Sequence, residues 1–483
     1  MSQVPVLIVG GGITGLAAAW ELQQRGIAYV LLESADRLGG KIITERADGF
    51  VIEGGADSFL TQKPWAWQLC RDAGFADQFI GTNDAHRNVY VLRGGRLHPF
   101  PRGMRLIVPL DEAGLRESDL LSDAGKQRML DEPTIPPRLM SDPIMGVTND
   151  ESMAAFVERR FGKEALDVFG DSLLAGIHVA DPAYLSIAAT FPNYVQLERT
   201  YGSVIRGMQQ TVNSAARDPD APPTAFVSFK NGMQTLIESL AARLTGDVRT
   251  GWRVTHIAAD RTVTAVHTES GAQATFKPDA VILSTQAGIA AKLLNGLAAQ
   301  SVTERLSYFE TVSSGTVSLG FRTDQLNHDL DGFGFVIPRS EPTRIRACTW
   351  SSTKLADRAP DGYALLRVFV GGSGREADVA LPDDQLIALA RADLRQIMGI
   401  DAAPVISRIF RWRDANPQYA VGHIERIAQL NELCPLWLTL AGCSYDGVGI
   451  PDCVRQGCTA AQHAATMLFA ETQILKDNAS YDQ

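Results

Sequence analysis

The chain has 483 residues, 45% of them apolar and 21% charged, with a formal net charge of −10. That length exceeds what one compact core holds, so two or three domains are expected. The acidic balance argues against nucleic acid or an anionic membrane surface as a main partner. No apolar run reaches the roughly 18 residues that cross a bilayer, and no basic leader precedes the first strand, which points to the cytoplasm.

The first strand, residues 6–9, runs straight into Gly10-Gly11-Gly12-Ile13-Thr14-Gly15, then a helix-forming run from Leu16 to Gln24. A second apolar strand, residues 29–32, ends on Glu33. Gly10 permits a sharp strand-to-helix turn, Gly12 lets a pyrophosphate approach the backbone, and Gly15 lets the helix lie close to the strand. The helix N-terminus holds phosphate, and Glu33 can accept a ribose hydroxyl. This unit alone leaves NAD and FAD both open. The following Arg37-Leu38-Gly39-Gly40-Lys41 adds a second glycine turn and two cations where a longer cofactor would continue. Glu53-Gly54-Gly55-Ala56-Asp57-Ser58 then supplies small and hydroxyl side chains suited to an isoalloxazine ring. FAD is the cofactor expected.

Farther along, the sequence predicts a helix over 65–73 and a hairpin over 89–98 turning at Gly94-Gly95. Residues 100–195 turn helical, with a Pro-rich break at 133–137 and amphipathic spacing at 152–161 and 165–175. An exposed loop spans 213–224. Strand 225–229, helix 233–244, and strands 252–257 and 279–284 follow. Residues 300–412 read as strand-rich (312–322, 334–337, 347–350, 364–370), closed by a helix over 384–398. Gly372-Ser373-Gly374 follows a strand and imitates a second dinucleotide fingerprint, but Pro382 interrupts before the next helix. A tight loop and no nicotinamide site are expected there. The six cysteines make no C-x-x-C, and the eight histidines form no H-E-x-x-H or paired cluster. Free thiols and no metal are expected.

The C-terminal stretch 438–453 is a strand, a glycine-rich turn (Gly442, Gly447, Gly449) and a helix start. Together with Trp412-Arg413-Asp414-Ala415-Asn416-Pro417-Gln418-Tyr419-Ala420-Val421-Gly422-His423, the opening glycine turn and Asp57-Ser58-Phe59-Leu60, it resembles the FAD-dependent protoporphyrinogen and coproporphyrinogen III oxidases of haem synthesis. The resemblance runs essentially end to end. It implies an α/β (α+β) fold: a Rossmann-like FAD-binding domain of the monoamine-oxidase kind, a substrate sheet domain and a helical insertion. The divisions expected are 1–85, 203–290 and 411–483 for FAD, 86–202 for the insertion (the membrane-domain equivalent), and 291–410 for substrate.

By that likeness FAD would contact Gly10 to Gly15, Glu33, Ser34, Arg37, Gly40, Lys41 and Gly55 to Ser58. Val254 would hold the adenine end through its backbone, and Trp412, Val448, Gly449 and Ile450 would border the ring. The implied reaction takes six electrons from a porphyrinogen in three hydride transfers, with dioxygen reoxidising the flavin and hydrogen peroxide released. Lys63 matches the position of a cation for a propionate, and Gly176 a glycine beside the reacting carbon. Phe333, Val336 and Phe369 match pocket walls. No acid–base pair is identified.

Three departures stand out. His178-Val179-Ala180-Asp181 replaces an aromatic-Ala-Gly-Asp, Ala56 stands where proline is common, and residues 111–150 are rich in charge. The last favours the soluble bacterial type, which prefers coproporphyrinogen; weak peripheral membrane contact and a homodimer stay compatible with the chain. The rival readings are another flavoenzyme of the same fold, either an amine oxidase (Tyr445 offering one wall of an aromatic cage) or a carotenoid desaturase, and a flavin- or porphyrin-binding protein without turnover.

Overall fold

Parallel strands need helices on both faces, and the apolar run at residues 6–9 sits in such a layer. The computed structural model describes residues 2–138, 150–214, 218–295 and 300–481. Its first seven-stranded sheet runs in the order Asp247–Arg249, Tyr29–Leu32, Ser2–Val9, Gln273–Leu283, Val263–His267, Trp252–Ile257, with Leu438–Leu440 pairing beside the end of Gln273–Leu283. Three distant chain stretches therefore share one sheet. Val6 and Ile8 face the opening helix Ile13–Gln24 and the last helix Ile450–Tyr481, while Leu7 and Val9 face Ala287, Leu294 and Leu306. Small residues let the two helices touch: a Cβ on Gly457 would overlap the carbonyl oxygen of Thr14.

The second seven-stranded sheet runs Ile406–Pro417, Thr311–Arg322, Tyr363–Gly371, Ala347–Trp350, Gly334–Val336, Val89–Arg93, Arg96–Pro99. The hairpin that the sequence groups with residues 86–202 thus forms the edge of this sheet. Val317, Leu319, Leu366 and Val368 pack on helix Asp383–Met398 through Leu386 and Leu394. Strand alternation turns Thr316, Ser318, Arg367 and Phe369 to the opposite face, where Gly320 and Leu365 meet Phe50 from the first part of the chain.

The helical region has its own core of Phe156, Phe161, Phe169, Tyr194 and Val204. Helix Met153–Phe161 begins where expected because the Ser152 hydroxyl accepts the Ala155 N–H at 3.1 Å. The run expected as an α-helix over 165–175 is instead a π-helix, Leu166–Leu174, leading into Ala175–His178. The Gly372 turn leads only into a short 3₁₀ stretch, Glu376–Ala380. Part of the expected 213–224 loop, residues 215–217, lies outside the described residues. Among the described residues no helix is long and apolar enough to cross a membrane.

Candidate active site

The glycines of the first turn each answer a separate steric demand. Gly10 has φ +109°, a conformation that a side chain resists. A Cβ on Gly15 would overlap the Gly10 carbonyl oxygen, so the helix can lie on the strand only without one. A Cβ on Gly12 would meet nothing within 4 Å. That opening lies at the N-terminus of a twelve-residue helix, whose free N–H groups and dipole favour an anion. Ile13 and Thr14 of the first turn are buried. Gly39 donates its N–H to the Gly11 carbonyl at 2.8 Å, and Gly40 lies against Gly12, which draws the second glycine turn onto the first. The Arg37 guanidinium closes that turn by donating to the carbonyl of Gly40 at 2.7 Å.

Glu33 accepts the N–H of Gly11 at 2.6 Å, the N–H of Ala35 at 2.8 Å and the Ser34 hydroxyl at 3.1 Å. Trp252 donates its N–H to the Glu33 carbonyl at 2.8 Å, which sets Val254, two residues on, beside this acidic strand end.

The C-terminal segment closes on the same place. Lys41 donates to the Ala415 carbonyl at 2.7 Å and to Cys443 Sγ at 3.2 Å. The Trp412 indole donates to the Gly54 carbonyl at 2.8 Å, and a Cβ on Gly55 would overlap the Lys41 carbonyl oxygen. The turn that carries Val448, Gly449 and Ile450 is held by Tyr419, whose hydroxyl donates to the Cys443 carbonyl at 2.7 Å and accepts the Gly447 N–H at 2.9 Å. Tyr419 in turn stacks on His423 at 4.0 Å between ring centroids.

Beside these segments lies the face of the second sheet opposite helix Asp383–Met398. Val336 and Phe369 are both in register with Ala347, on one cross-strand row. Val336 also touches the helical core, so the face looks toward the insertion. Phe333 is half-buried and immediately precedes the strand Gly334–Val336, its N–H donating to the Asn88 carbonyl at 2.7 Å. A Cβ on Gly176, after the π-helix, would meet nothing within 4 Å. Asp57 accepts two hydrogen bonds from Lys354 at 2.8 and 3.0 Å, and the Ser58 hydroxyl donates to it at 2.7 Å; Ala56 packs against the first sheet's core. Lys63 does not stand alone: its ammonium donates to both oxygens of Asp452, at 2.8 and 2.7 Å, in the first turn of the last helix.

Burial dominates the electrostatics. It pushes Glu53 up to about 7, against hydrogen bonds from the Thr44 hydroxyl and the Met233 N–H. Asp57 is held well below the carboxylate range: Lys354 and Arg367 outweigh its desolvation. His178 and His423 are both pushed down to about 4 by burial, His178 further by Lys63. Both imidazoles are therefore neutral at ordinary pH.

Several of these groups escape sequence reading. Arg367 and Lys354 show only as lone cations near apolar strands, and the Tyr419–His423 stack leaves no local pattern. Arg367 has one usable signal, its place two residues before Phe369 in a strand, hence on the same face. Tyr445, the sequence's candidate for one wall of an aromatic cage, is buried against Phe309 in the core behind the first sheet.

Open space over Gly12 at a helix N-terminus, an acid at the next strand end and a cradle closed by segments 54–58, 412 and 448–450 together fit an extended FAD. The arrangement defines an FAD-dependent oxidoreductase. The chain belongs to the flavin containing amine oxidoreductase family, whose profile matches residues 13–465. It is similar to the coproporphyrinogen III oxidase of Bacillus subtilis (strain 168), 35% identical over 96% of this chain and 98% of that protein. Similarity to the coproporphyrinogen III oxidase of Staphylococcus aureus (strain NCTC 8325 / PS 47) is 32% over 96% and 99%. The crystal structure of a candidate protoporphyrinogen oxidase from Exiguobacterium sp. 255-15 superposes with a TM-score of 0.81 at 31% identity, covering 97% of this chain and 99% of that one.

Proposed function

We propose that this enzyme oxidises coproporphyrinogen III to coproporphyrin III in haem synthesis, six electrons in all, with dioxygen as acceptor and hydrogen peroxide released. The observation that carries this reading is 35% identity, spanning 96% of the chain, to an enzyme of that name. The site's chemistry supports it. The substrate is a large apolar ring with acidic arms, and it needs aliphatic and aromatic walls together with cations.

Bound in the cradle, FAD supplies a two-electron acceptor for C–H bonds flanked by electron-rich pyrroles. The chain's own work is positioning. Gly10 to Gly15, Glu33, Ser34, Arg37, Gly40 and Lys41 hold the dinucleotide, with Val254 at the adenine end. Gly55 to Ser58, Trp412 and Val448 to Ile450 border the ring. Phe333, Val336 and Phe369 wall the macrocycle, Gly176 leaves room beside the reacting carbon, and Lys63 takes a propionate. No residue is assigned as acid or base. In this reading the segments 1–85, 203–290 and 411–483 serve the cofactor, 291–410 together with the hairpin at 89–99 the substrate, and 100–202 covers the pocket, in a cytoplasmic enzyme.

Chemically reduced coproporphyrinogen III, given in air to the FAD-loaded enzyme, tests it by porphyrin fluorescence. The rise should exceed the uncatalysed rate and stop when dioxygen is removed. No enzyme-dependent rise with either coproporphyrinogen III or protoporphyrinogen IX would overturn the proposal. The burial of Tyr445 against Phe309 counts against an amine oxidase, which would turn over a primary amine instead.

A further inference from the structure

Lys63, the cation that the family resemblance matches to a substrate carboxylate, has both oxygens of Asp452 as partners. Another cation has no such match. Arg367 is only 6% exposed, and its Nε and Nη1 have no hydrogen-bond partner among the described residues. Buried guanidinium donors without acceptors are costly, and proteins seldom keep them without a purpose. The nearest carboxylate, Asp57, stands 4.0 Å away and is already occupied by Lys354 and Ser58. Arg358 spends its two Nη groups on Ser228 Oγ and the carbonyls of Phe229, Lys230 and Ala356, and only its Nε lacks a partner among the described residues. Glu53, 3.9 Å from Arg358, is pushed up to about 7 by burial. Three cations (Lys354, Arg358 and Arg367) thus face Asp57 and a carboxyl that is only partly ionised at neutral pH. The local excess is positive and shielded from water.

Its place in the fold gives that excess a direction. Arg367 and Phe369 share the face of the second sheet opposite helix Asp383–Met398, with the guanidinium carbon 4.6 Å from the Phe369 ring centroid. Asp57 belongs to the stretch proposed to border the flavin. Arg367 therefore lies between the cofactor cradle and a proposed wall of the substrate pocket, on a different element from Lys63, which is anchored to the last helix.

We propose that Arg367 binds a second carboxylate of the substrate and so selects a porphyrinogen with acidic arms on more than one edge. This rests on the porphyrinogen reading above. Coproporphyrinogen III carries a propionate on each of its four pyrroles, whereas protoporphyrinogen IX has two neighbouring propionates and vinyl groups elsewhere. A vinyl placed against Arg367 leaves the buried charge unmatched, which is how a polar site rejects an apolar analogue.

FAD-loaded Arg367→Met and Arg367→Lys enzymes, compared with the unaltered one, test this. KM for coproporphyrinogen III should rise about 10- to 100-fold in Arg367→Met and recover in part in Arg367→Lys, while KM for protoporphyrinogen IX moves by less than about threefold. Equal losses on both substrates, or none on either, would overturn the inference. Flavin absorbance and melting temperature report whether each variant folds, and Arg367→Gln replaces the methionine variant if that one does not. Equilibrium binding of coproporphyrin III and of its neutral tetraamide, followed by porphyrin absorbance, separates this inference from the reaction itself. A fall in their affinity ratio in the uncharged variant supports Arg367 as a carboxylate site even where no porphyrinogen is turned over. An unchanged ratio refutes it even where turnover is normal.

Discussion

A Cβ on Gly15 would overlap the carbonyl oxygen of Gly10, whereas one on Gly12, three residues earlier, would touch nothing within 4 Å. Two glycines of one motif therefore serve different ends, packing and ligand approach. Gly15→Ala should prevent both folding and flavin uptake, because the helix would have to leave the strand. Gly12→Ala should fold with the apoprotein's melting temperature and lose flavin affinity by at least about tenfold, its methyl occupying the phosphate's place. Full flavin content in purified Gly12→Ala protein would contradict this account.

The pairing of Lys63 with Asp452 makes the two residues move KM in opposite senses. Lys63 is 45% exposed at its side chain and Asp452 only 9%. Asp452→Asn frees the ammonium for a substrate carboxylate and should lower KM for coproporphyrinogen III a few-fold, about 0.5–1 kcal/mol of recovered interaction. Lys63→Met should raise KM and also destabilise the fold by about 1–3 kcal/mol, because it strands a nearly buried carboxylate. Steady-state kinetics and denaturant melts check both; a rise in KM for Asp452→Asn would count against Lys63 as a substrate contact.

Glu53 gives stability a slope in pH. Its carboxyl sits at about 7 in the folded state against 4.5 in the unfolded chain, so the folded state holds the extra proton between those values. Its contribution is present below pH 4.5 and is lost as pH rises through 7, a loss of about 3 kcal/mol by pH 8. Glu53→Gln should raise the melting temperature at pH 8 and leave it nearly unchanged at pH 4.5. A variant that melts lower than the parent at pH 8 would show that the charged carboxylate is needed by Arg358.

His178 tilts the balance the other way. It is neutral in the fold and titrates near 4, while the unfolded imidazole titrates at 6.5, so stability falls as pH drops through that window. At pH 5 the cost is about 2 kcal/mol. His178→Phe removes the titrating group while keeping a ring between Phe191 and Tyr419. It should melt above the parent at pH 5 and match it at pH 8. Between pH 4.5 and 6.5 the Glu53 and His178 slopes oppose each other, so the parent's profile should be flatter than that of either variant; parallel profiles would discard both assignments.

Much of the fold can be read directly from local pattern. The Gly94-Gly95 hairpin, the Ser152-capped helix and the helix ending at Met398 depend on turn chemistry, a capping hydroxyl and a 3.6-residue period, all settled within a few residues. The run at 165–175 has helical spacing, but spacing does not distinguish a 3.6-residue turn from the wider π turn that packing imposes.

The order of residues along the chain, by itself, determined the cofactor: a strand, a glycine turn, a helix and an acid bind a dinucleotide through backbone geometry, the glycine turns at 37–41 and 53–58 narrow it to FAD, and backbone geometry is a short-range property. Only the tertiary structure decided which charges are matched. Lys63 meets a partner 389 positions away, while Arg367, in a strand that looks like plain core, is left with donors to spare. Charge pairing depends on which distant segments fold against each other, and no local window of sequence contains that information.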